Sequence, residues 1–207
     1  MPGDRRLLDI GPPLPGAPEP TERADAARNR RLLLDAAQQL VREQGVDCLT
    51  MDALAKRAGV GKGTVFRRFG SRAGLMLALL DHSERKYQEA FMFGQPPLGP
   101  GAPPVERLVA FGRVRLLDIE VEGELHRAAE IGGARDRYSG APYGLLRAHV
   151  AMLLRQAAAP GEIALVTDSL LAMLSAALVM HQMQVQGYTR EQIGDNWEAI
   201  VRRVVTR

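Results

Sequence analysis

The chain has 207 residues, which is enough for one well-filled core with a small additional domain and too few for several independent domains. Its single cysteine, Cys48, excludes an internal disulfide and a cysteine-based zinc cluster. The net charge of +3 is unevenly distributed, because residues 21–72 carry 11 Lys or Arg and 6 Asp or Glu, so that 11 − 6 = +5 and the remainder sums to −2.

Residues 1–27 are predicted to form a disordered tail. Residues 1–20 contain six of the thirteen prolines and few large apolar side chains, so burial cannot offset the cost of ordering them. This end also lacks the apolar run of a secretory signal, and we expect the protein to stay in the cytoplasm. The uncharged stretch 169–189 holds only about twelve strongly apolar residues, against the ~20 that a membrane span needs. We therefore expect a buried helix there and no membrane partner.

Two short helices around a glycine turn follow a longer first helix, which is predicted over residues 28–44. Thr50 precedes an apolar pattern that predicts a helix over 51–58, because its hydroxyl can accept from the free amides of the first turn. Gly59-Val60-Gly61 is a tight turn, and a second short helix is predicted over 62–69. This arrangement is typical of a helix-turn-helix.

The second short helix of this pair is expected to contact DNA. On a helical wheel, Val65 and Phe69 share the side that should face the core. The opposite side carries Gly63, Thr64 and Arg67. Arg67 is suited to guanine O6 and N7, Thr64 to a base edge or a thymine methyl, and Gly63 to a close backbone approach.

The charges around this helix have one sign. Between Ala53 and Leu80 every charged side chain is cationic, which favours a polyanionic partner. Lys62, at the helix N-terminus, is suited to phosphate. The alternative reading is an ordinary solvated face, which is the usual environment of charged side chains.

The segment from Leu49 to Met76, LTMDALAKRAGVGKGTVFRRFGSRAGLM, resembles the TetR family of regulators, and the likeness extends over about residues 28–80. The resemblance implies an all-helical dimer whose variable C-terminal domain binds small ligands. Gly61 stands where the family often has serine and Phe66 where it often has tyrosine, which removes two hydroxyls that bond phosphate. By resemblance, Thr50 touches phosphate and Arg72 replaces a common phosphate-binding lysine. The implied DNA-contacting residues are Thr50, Lys62, Gly63, Thr64, Phe66, Arg67, Arg68 and Arg72.

The remainder of the chain is also predicted to be helical. Ser71 is suited to cap a helix that runs to about Phe93, and the five prolines of residues 94–104 indicate a loop. Further helices are predicted near 104–121, 124–131, 142–158, 162–186 and 190–206. No period-2 strand pattern occurs, so the fold class is all-α. We expect a three-helix DNA-binding domain over 28–72 and a helical ligand-binding and dimerisation domain over 73–207.

Candidate ligand-binding residues are chosen for aromatic, imidazole or thioether side chains in the second domain, although ordinary packing is the main alternative for each. They are Tyr87, Phe91, Phe111, Tyr143, His149, Met152 and Met173. Glu122, His126 and Glu130 have the four-residue spacing of metal ligands, but the absence of neighbouring histidines favours a solvated face and no metal site.

Two C-terminal helices carry apolar stripes that are suited to a four-helix interface between two copies. The candidate interface residues are Leu171, Leu174, Leu178, Trp197, Ile200 and Val204. Because one short helix reads few base pairs, two copies are expected to bind two half-sites of a near-palindromic double-stranded operator.

The sequence therefore predicts a one-component transcriptional regulator, a repressor that an unidentified small molecule releases from its operator. No nucleophile motif, phosphate loop or cofactor motif is present, so we expect no catalytic residues, no cofactor and no enzyme activity. The competing hypothesis is an all-α small-molecule-binding protein or enzyme without sequence-specific DNA binding.

Overall fold

The computed structural model describes residues 20–130 and 141–206. All regular structure in these two ranges is helical, which confirms the all-α fold class. The α-helices are α1 Pro20–Gln44, α2 Met51–Ala58, α3 Lys62–Phe69, α4 Arg72–Phe93, α5 Pro104–Glu130, α6 Ala141–Gln156, α7 Ile163–Met173, α8 Ala176–Gln184 and α9 Arg190–Val205. A 3-10 turn, Val46–Cys48, joins α1 to α2.

Helix α1 begins at Pro20, so the prediction of a disordered tail over 1–27 is wrong for residues 20–27. Proline fits the first position of a helix because its missing N–H would have no partner there. The alanines at 24, 26 and 27 then favour the helix by their intrinsic propensity. The rest of the expected tail lies outside the described residues.

The N-terminal unit, defined here as α1 to α3 with the first half of α4, has its own apolar core. Leu34, Leu54 and Val65 lie at its centre and are almost fully buried. The core also takes in Leu79 of α4 and Leu125 of α5. Its packing therefore extends past residue 72, the boundary expected from the sequence.

The C-terminal body, which comprises the second half of α4 and helices α5 to α9, surrounds a second core of aromatic and aliphatic side chains. Phe91 and Phe111 lie at its centre, with ring centroids 5.6 Å apart. Trp197 of α9 is 1% exposed, and its indole Nε1 donates to the carbonyl of Leu108 at 3.1 Å. Helices α4 and α5 thus contribute to both cores.

Two helix boundaries differ from the sequence-based expectation. Helix α5 continues through Gly123, and the predicted interruption is a kink at Glu122, whose φ of −120° and ψ of 17° are not helical. The helix expected over 162–186 is broken after Leu174 instead, because Ser175 takes extended dihedrals and caps α8 by accepting from the amide of Leu178. Of the helices described, none alone is long and apolar enough to span a membrane, and α7 with α8 meets those criteria only as a pair bent by 41°.

Candidate functional site

Helix α3 is held at a fixed angle to α2 by the glycine turn. Gly59 has φ 66° and ψ 30°, a left-handed conformation that favours glycine, and its amide bonds carbonyls at the end of α2. Val65 and Phe69 are buried against the other helices, as the helical wheel predicts. The opposite side of α3 therefore faces away from the core.

That outer side carries exposed Gly63 and Arg67, with Thr64 half-buried beside them. Phe66 is 41% exposed, and Arg68 is half-buried. Arg67 makes only a long contact of 3.4 Å from Nη2 to the Thr64 hydroxyl. Within the described residues, neither Arg67 nor Arg68 forms an ion pair. Two guanidinium groups are therefore available to an anion.

Lys62 differs from these arginines because it already has an anionic partner. Its Nζ lies 2.7 Å from a carboxylate oxygen of Asp52 on α2 and 5.8 Å from the ring centre of Phe66. Both charged side chains are more than half exposed. Asp52 lies just before the all-cationic stretch 53–80, and for that reason the sequence analysis did not weigh it.

Thr50 and Arg72 both have structural partners. The Thr50 hydroxyl accepts from the amide of Ala53 at 3.0 Å and caps α2. The Arg72 Nε donates to the Leu49 carbonyl at 2.8 Å, and its Nη2 donates to the Val46 carbonyl at 3.0 Å. Arg72 thereby ties the start of α4 to the turn before α2. Contact of either residue with phosphate stays a prediction.

A cavity of about 340 Å³ lies in the body against α4. Three of the predicted ligand residues, Tyr87, Phe111 and Tyr143, line it. Apolar walls come from α4, α6 and α7, and two carboxylates, one guanidinium and one imidazole also line the space. The cavity residues are Leu77, Leu80, Asp81, Glu84, Tyr87, Phe111, Arg115, His126, Tyr143, Leu146, Leu171, Leu174 and Ser175.

The other four predicted ligand residues lie elsewhere. Phe91 and His149 pack ring against ring in the second core, with centroids 4.3 Å apart. Burial, together with the charge of Arg107, lowers the pKa of His149 to about 4. Met152 is 36% exposed, and Met173 lines a separate groove between α8 and α9.

Glu84, Arg115 and His126 form a polar cluster in the cavity that the sequence analysis missed. Oε1 of Glu84 lies 2.6 Å from Arg115 Nη1 and 3.4 Å from His126 Nδ1. Burial opposes ionisation of Glu84, but the positive charge of Arg115 and the contacts with His126 outweigh it and hold its pKa at about 2. Two buried atoms of the cluster, Glu84 Oε2 and His126 Nε2, have no hydrogen-bond partner.

The prediction of a solvated face for Glu122 and His126 is wrong, because they are 1% and 4% exposed. The kink of α5 places both side chains inside the molecule, where neighbouring helices cover them. The side chain of Glu130 lies outside the described residues. Among the residues described, no group of three or more potential metal ligands occurs.

A buried polar junction joins α1 to α4 and α5. The Gln38 amide nitrogen of α1 donates to the Ser83 hydroxyl at 3.0 Å and to Glu122 Oε1 at 2.8 Å. Lys86 donates to the Gln38 carbonyl oxygen at 2.9 Å and to Asp35 at 3.1 Å. Ser83 is next to Glu84 in the chain, so the junction and the cavity share one turn of α4.

Half of the predicted interface residues are buried within the chain. Leu171, Leu174 and Trp197 are 8%, 6% and 1% exposed, so little of their surface is left for contact with a second copy. Their apolar stripes serve the core of the body, and Leu171 and Leu174 also line the cavity. Leu178 is 40% exposed, while Ile200 and Val204 are half-buried. These last three remain candidate interface residues.

The helix-turn-helix region matches a known family model. Residues 33–79 fit the model described as bacterial regulatory proteins, tetR family. HTH-type transcriptional regulators from Staphylococcus aureus strains USA300 and N315 are each 38% identical over 53 residues, which is 26% of this chain and 29% of each relative. The chain thus aligns with less than a third of the length of these curated relatives.

Solved structures resemble the chain over most of its length. A TetR-family transcriptional regulator from Pectobacterium atrosepticum has a TM-score of 0.64 at 20% identity, covering 89% of this chain and 98% of its own. A transcriptional regulator from Saccharomonospora viridis, solved in complex with choline, has a TM-score of 0.64 at 17% identity, covering 85% and 96%. At these identities the likeness is one of fold.

Proposed function

We propose that the chain is a regulator of the TetR family, whose model residues 33–79 match, and that it represses transcription as a homodimer on a near-palindromic operator until a small ligand releases it. The observation that carries the proposal is the outer face of α3. There, Arg67 and Arg68 have no ion pair within the described residues, and exposed Gly63 leaves backbone accessible between them and Lys62. An α-helix of this kind fits the major groove of B-DNA.

Each contacting residue has a distinct expected role. Arg67 donates two hydrogen bonds to a guanine, and Thr64 contacts the neighbouring base. Arg68 and Lys62 lie at the sides of α3 and neutralise phosphates, which positions the helix without reading sequence. Two copies of α3, one from each protomer, then read two half-sites about one helical turn apart or a multiple of that distance.

Ligand release is supported by the position of the cavity. One side of α4 supplies Glu84 and Tyr87 to the cavity wall. The adjacent residues Ser83 and Lys86 bond Gln38 of α1, the first helix of the N-terminal unit. A ligand that shifts this turn of α4 therefore shifts α1, and with it the orientation of α3. A ligand changes operator affinity only to the extent that it binds the two orientations unequally.

The first test is selection of binding sites from random duplex DNA by the purified full chain at near-physiological salt. We expect an enriched palindrome, bound by two copies in analytical ultracentrifugation. The double variant Arg67→Ala/Arg68→Ala should enrich no site, whereas Arg202→Ala is the matched control, since Arg202 is exposed on α9 and paired with Glu198. Affinity for all duplexes alike that disappears at moderate salt would refute a regulator and favour a helical binder, because phosphate contacts alone behave in that way.

A further inference from the structure

The polar cluster of the cavity contains two unmet hydrogen-bonding atoms. Arg115 and His126 both contact the same oxygen of Glu84, Oε1, and leave Oε2 buried without a partner. His126 is 4% exposed and lines the cavity, and its Nε2 likewise has no partner. Buried polar groups in native proteins are almost always bonded to protein, water or a ligand, and these two atoms belong to residues that line one cavity.

Glu84 Oε2 accepts hydrogen bonds. A carboxylate oxygen has no proton to donate. When His126 donates its Nδ1 proton to Glu84, the Nε2 of the neutral ring carries a lone pair and accepts. Both residues line the same cavity. The complementary group carries at least two N–H donors.

The charges and walls of the cavity restrict the ligand further. Arg115 pairs with Glu84, and Asp81, the second carboxylate of the lining, pairs with Arg85 at 2.6 Å. The hydroxyl of Tyr87 donates to the Phe111 carbonyl at 2.7 Å, and the Arg115 guanidinium lies 5.7 Å from the centre of the Tyr87 ring. Leucines from α4, α6 and α7 line the rest of the cavity and suit an apolar ligand body.

We propose that this cavity binds a small amphipathic primary or secondary ammonium ion, whose N–H groups donate to Glu84 Oε2 and His126 Nε2 while its apolar part lies against Tyr87, Phe111 and the leucines. The inference rests on the proposed function in one respect, since it assigns the chemical class of the releasing ligand. A carboxylate ligand is disfavoured because it would meet the unpartnered oxygen of Glu84. A neutral alcohol supplies one donor and no charge.

The test uses probes that share one skeleton and differ in the head group. The full chain, free of DNA, is titrated calorimetrically with phenylalkyl ammonium ions of one to four methylenes, and with the matching alcohols, carboxylates and trimethylammonium ions. We expect the best ammonium ion to bind at least tenfold more tightly than its alcohol and its trimethylammonium analogue, with no carboxylate binding. A carboxylate preference, equal binding of the alcohol, or no ammonium binding at all overturns the proposal. Equal binding of the trimethylammonium analogue overturns the assigned hydrogen bonds.

Two variants locate the binding. Glu84→Gln should weaken ammonium binding at least tenfold, but it also removes the partner of Arg115. Leu146→Trp fills the cavity from α6 and leaves the charged pair intact, and it should abolish binding. Met152→Trp, on the same helix and outside the cavity lining, should bind as the wild type does. Unchanged binding by Leu146→Trp would place the ammonium ion elsewhere and refute the site.

Operator release is measured separately, by fluorescence anisotropy of the selected operator with and without the best ammonium probe. Ammonium binding without release leaves the cavity assignment standing and refutes the sensing part of the proposed function. If the chain binds the operator but binds no ammonium ion, the DNA-binding part of the proposed function stands and the ammonium site is refuted.

Discussion

The arginines of α3 and three arginines of the C-terminal body are used in opposite ways. Arg67 and Arg68 have no carboxylate partner among the described residues, whereas Arg113, Arg115 and Arg147 of the body each pair with an aspartate or a glutamate. An unpaired surface guanidinium can bind an anionic group of another molecule, whereas a paired one already binds a carboxylate of its own chain. The presence or absence of a carboxylate partner therefore says more about the role of an arginine than its residue type does.

The largest expected effect comes from breaking a pair in the body. Arg115→Leu leaves Glu84 as a buried carboxylate without its main counter-charge, and we expect the free energy of unfolding to fall by about 3–5 kcal/mol. The double variant Glu84→Leu/Arg115→Leu removes both charges and should regain much of this loss. Urea unfolding of both variants measures the difference. A single variant within about 1 kcal/mol of wild type would mean that the pair contributes little.

A second variant concerns a titratable group that the body keeps neutral. The pKa of His149 is lowered from its ordinary value of 6.5 to about 4, so the folded state binds its proton less readily than the unfolded chain does. This contribution to stability is present above pH 6.5 and is lost as the pH falls towards 4. His149→Leu should therefore reduce the acid-induced loss between these pH values, by up to about 3 kcal/mol.

Thermal unfolding of wild type and His149→Leu at several pH values measures this change. The difference between the two curves isolates the histidine, because other titrating groups contribute to both. Parallel curves from pH 7 to pH 4.5 would show that folding does not lower the pKa of His149.

The arginines of α3 can be tested by a substitution that leaves the fold intact. Arg67→Ala should reduce discrimination between the selected operator and random DNA by about 1–3 kcal/mol. The free energy of unfolding should not change, because the side chain contacts only Thr64 at 3.4 Å. If anisotropy titrations show an equal loss of affinity for the operator and for random DNA, Arg67 contacts a phosphate instead of a base.

Gly63 separates stability from DNA binding. An added methyl group meets nothing within 4 Å in the isolated chain, so Gly63→Ala should raise the free energy of unfolding by about 0.5–1 kcal/mol through helix propensity. It should nevertheless weaken operator binding, because the methyl group occupies space that the DNA approaches. Gly144→Ala on α6 is the matched control, since its position is equally open. An operator affinity unchanged by Gly63→Ala would contradict a close backbone approach.

The smallest expected effect concerns the one cation of α3 that is paired. Asp52→Asn frees Lys62, whose Nζ lies 2.7 Å from the carboxylate, and it removes a negative charge from the DNA-facing surface. We expect operator affinity to rise by roughly two- to fivefold at low salt, with a gain that shrinks as salt screens the charges. Asp195→Asn, which removes an exposed partner of Arg113 in the body, should leave affinity unchanged at every salt concentration.

The sequence predicted the N-terminal unit better than the body for a physical reason. Thr50, Gly59 and Gly70 mark the ends of α2 and α3 by local capping and turn geometry, and both helices have the predicted bounds. The break after Leu174 carries no glycine, proline or charge, and its only local signal is the capping residue Ser175, which is one of two serines in that uncharged stretch. The start of α1 was also missed, because the prolines of residues 1–20 outweighed the alanines that follow them.

In the candidate site, too, features set by local sequence were predicted and features set by packing between helices were not. The outward direction of Arg67 follows from helical periodicity alone and was predicted, whereas the cavity depends on which helices meet. Trp197 and Leu171 lie on apolar stripes that look alike whether they face a core or a second protomer, and only packing showed that they are buried. Glu84 and Arg115 lie 31 residues apart in the chain, and no local spacing signals such a pair.

The sharing of α4 and α5 between the two cores limits how far the N-terminal unit can be treated as a portable module. Leu79 and Leu125 complete its core, although both lie beyond the segment that carries the helix-turn-helix. A fragment cut after residue 72 would expose that apolar surface to water, and a chimera would need a substitute cover for it. The same sharing couples the melting of the two regions, so the chain should unfold in one cooperative step.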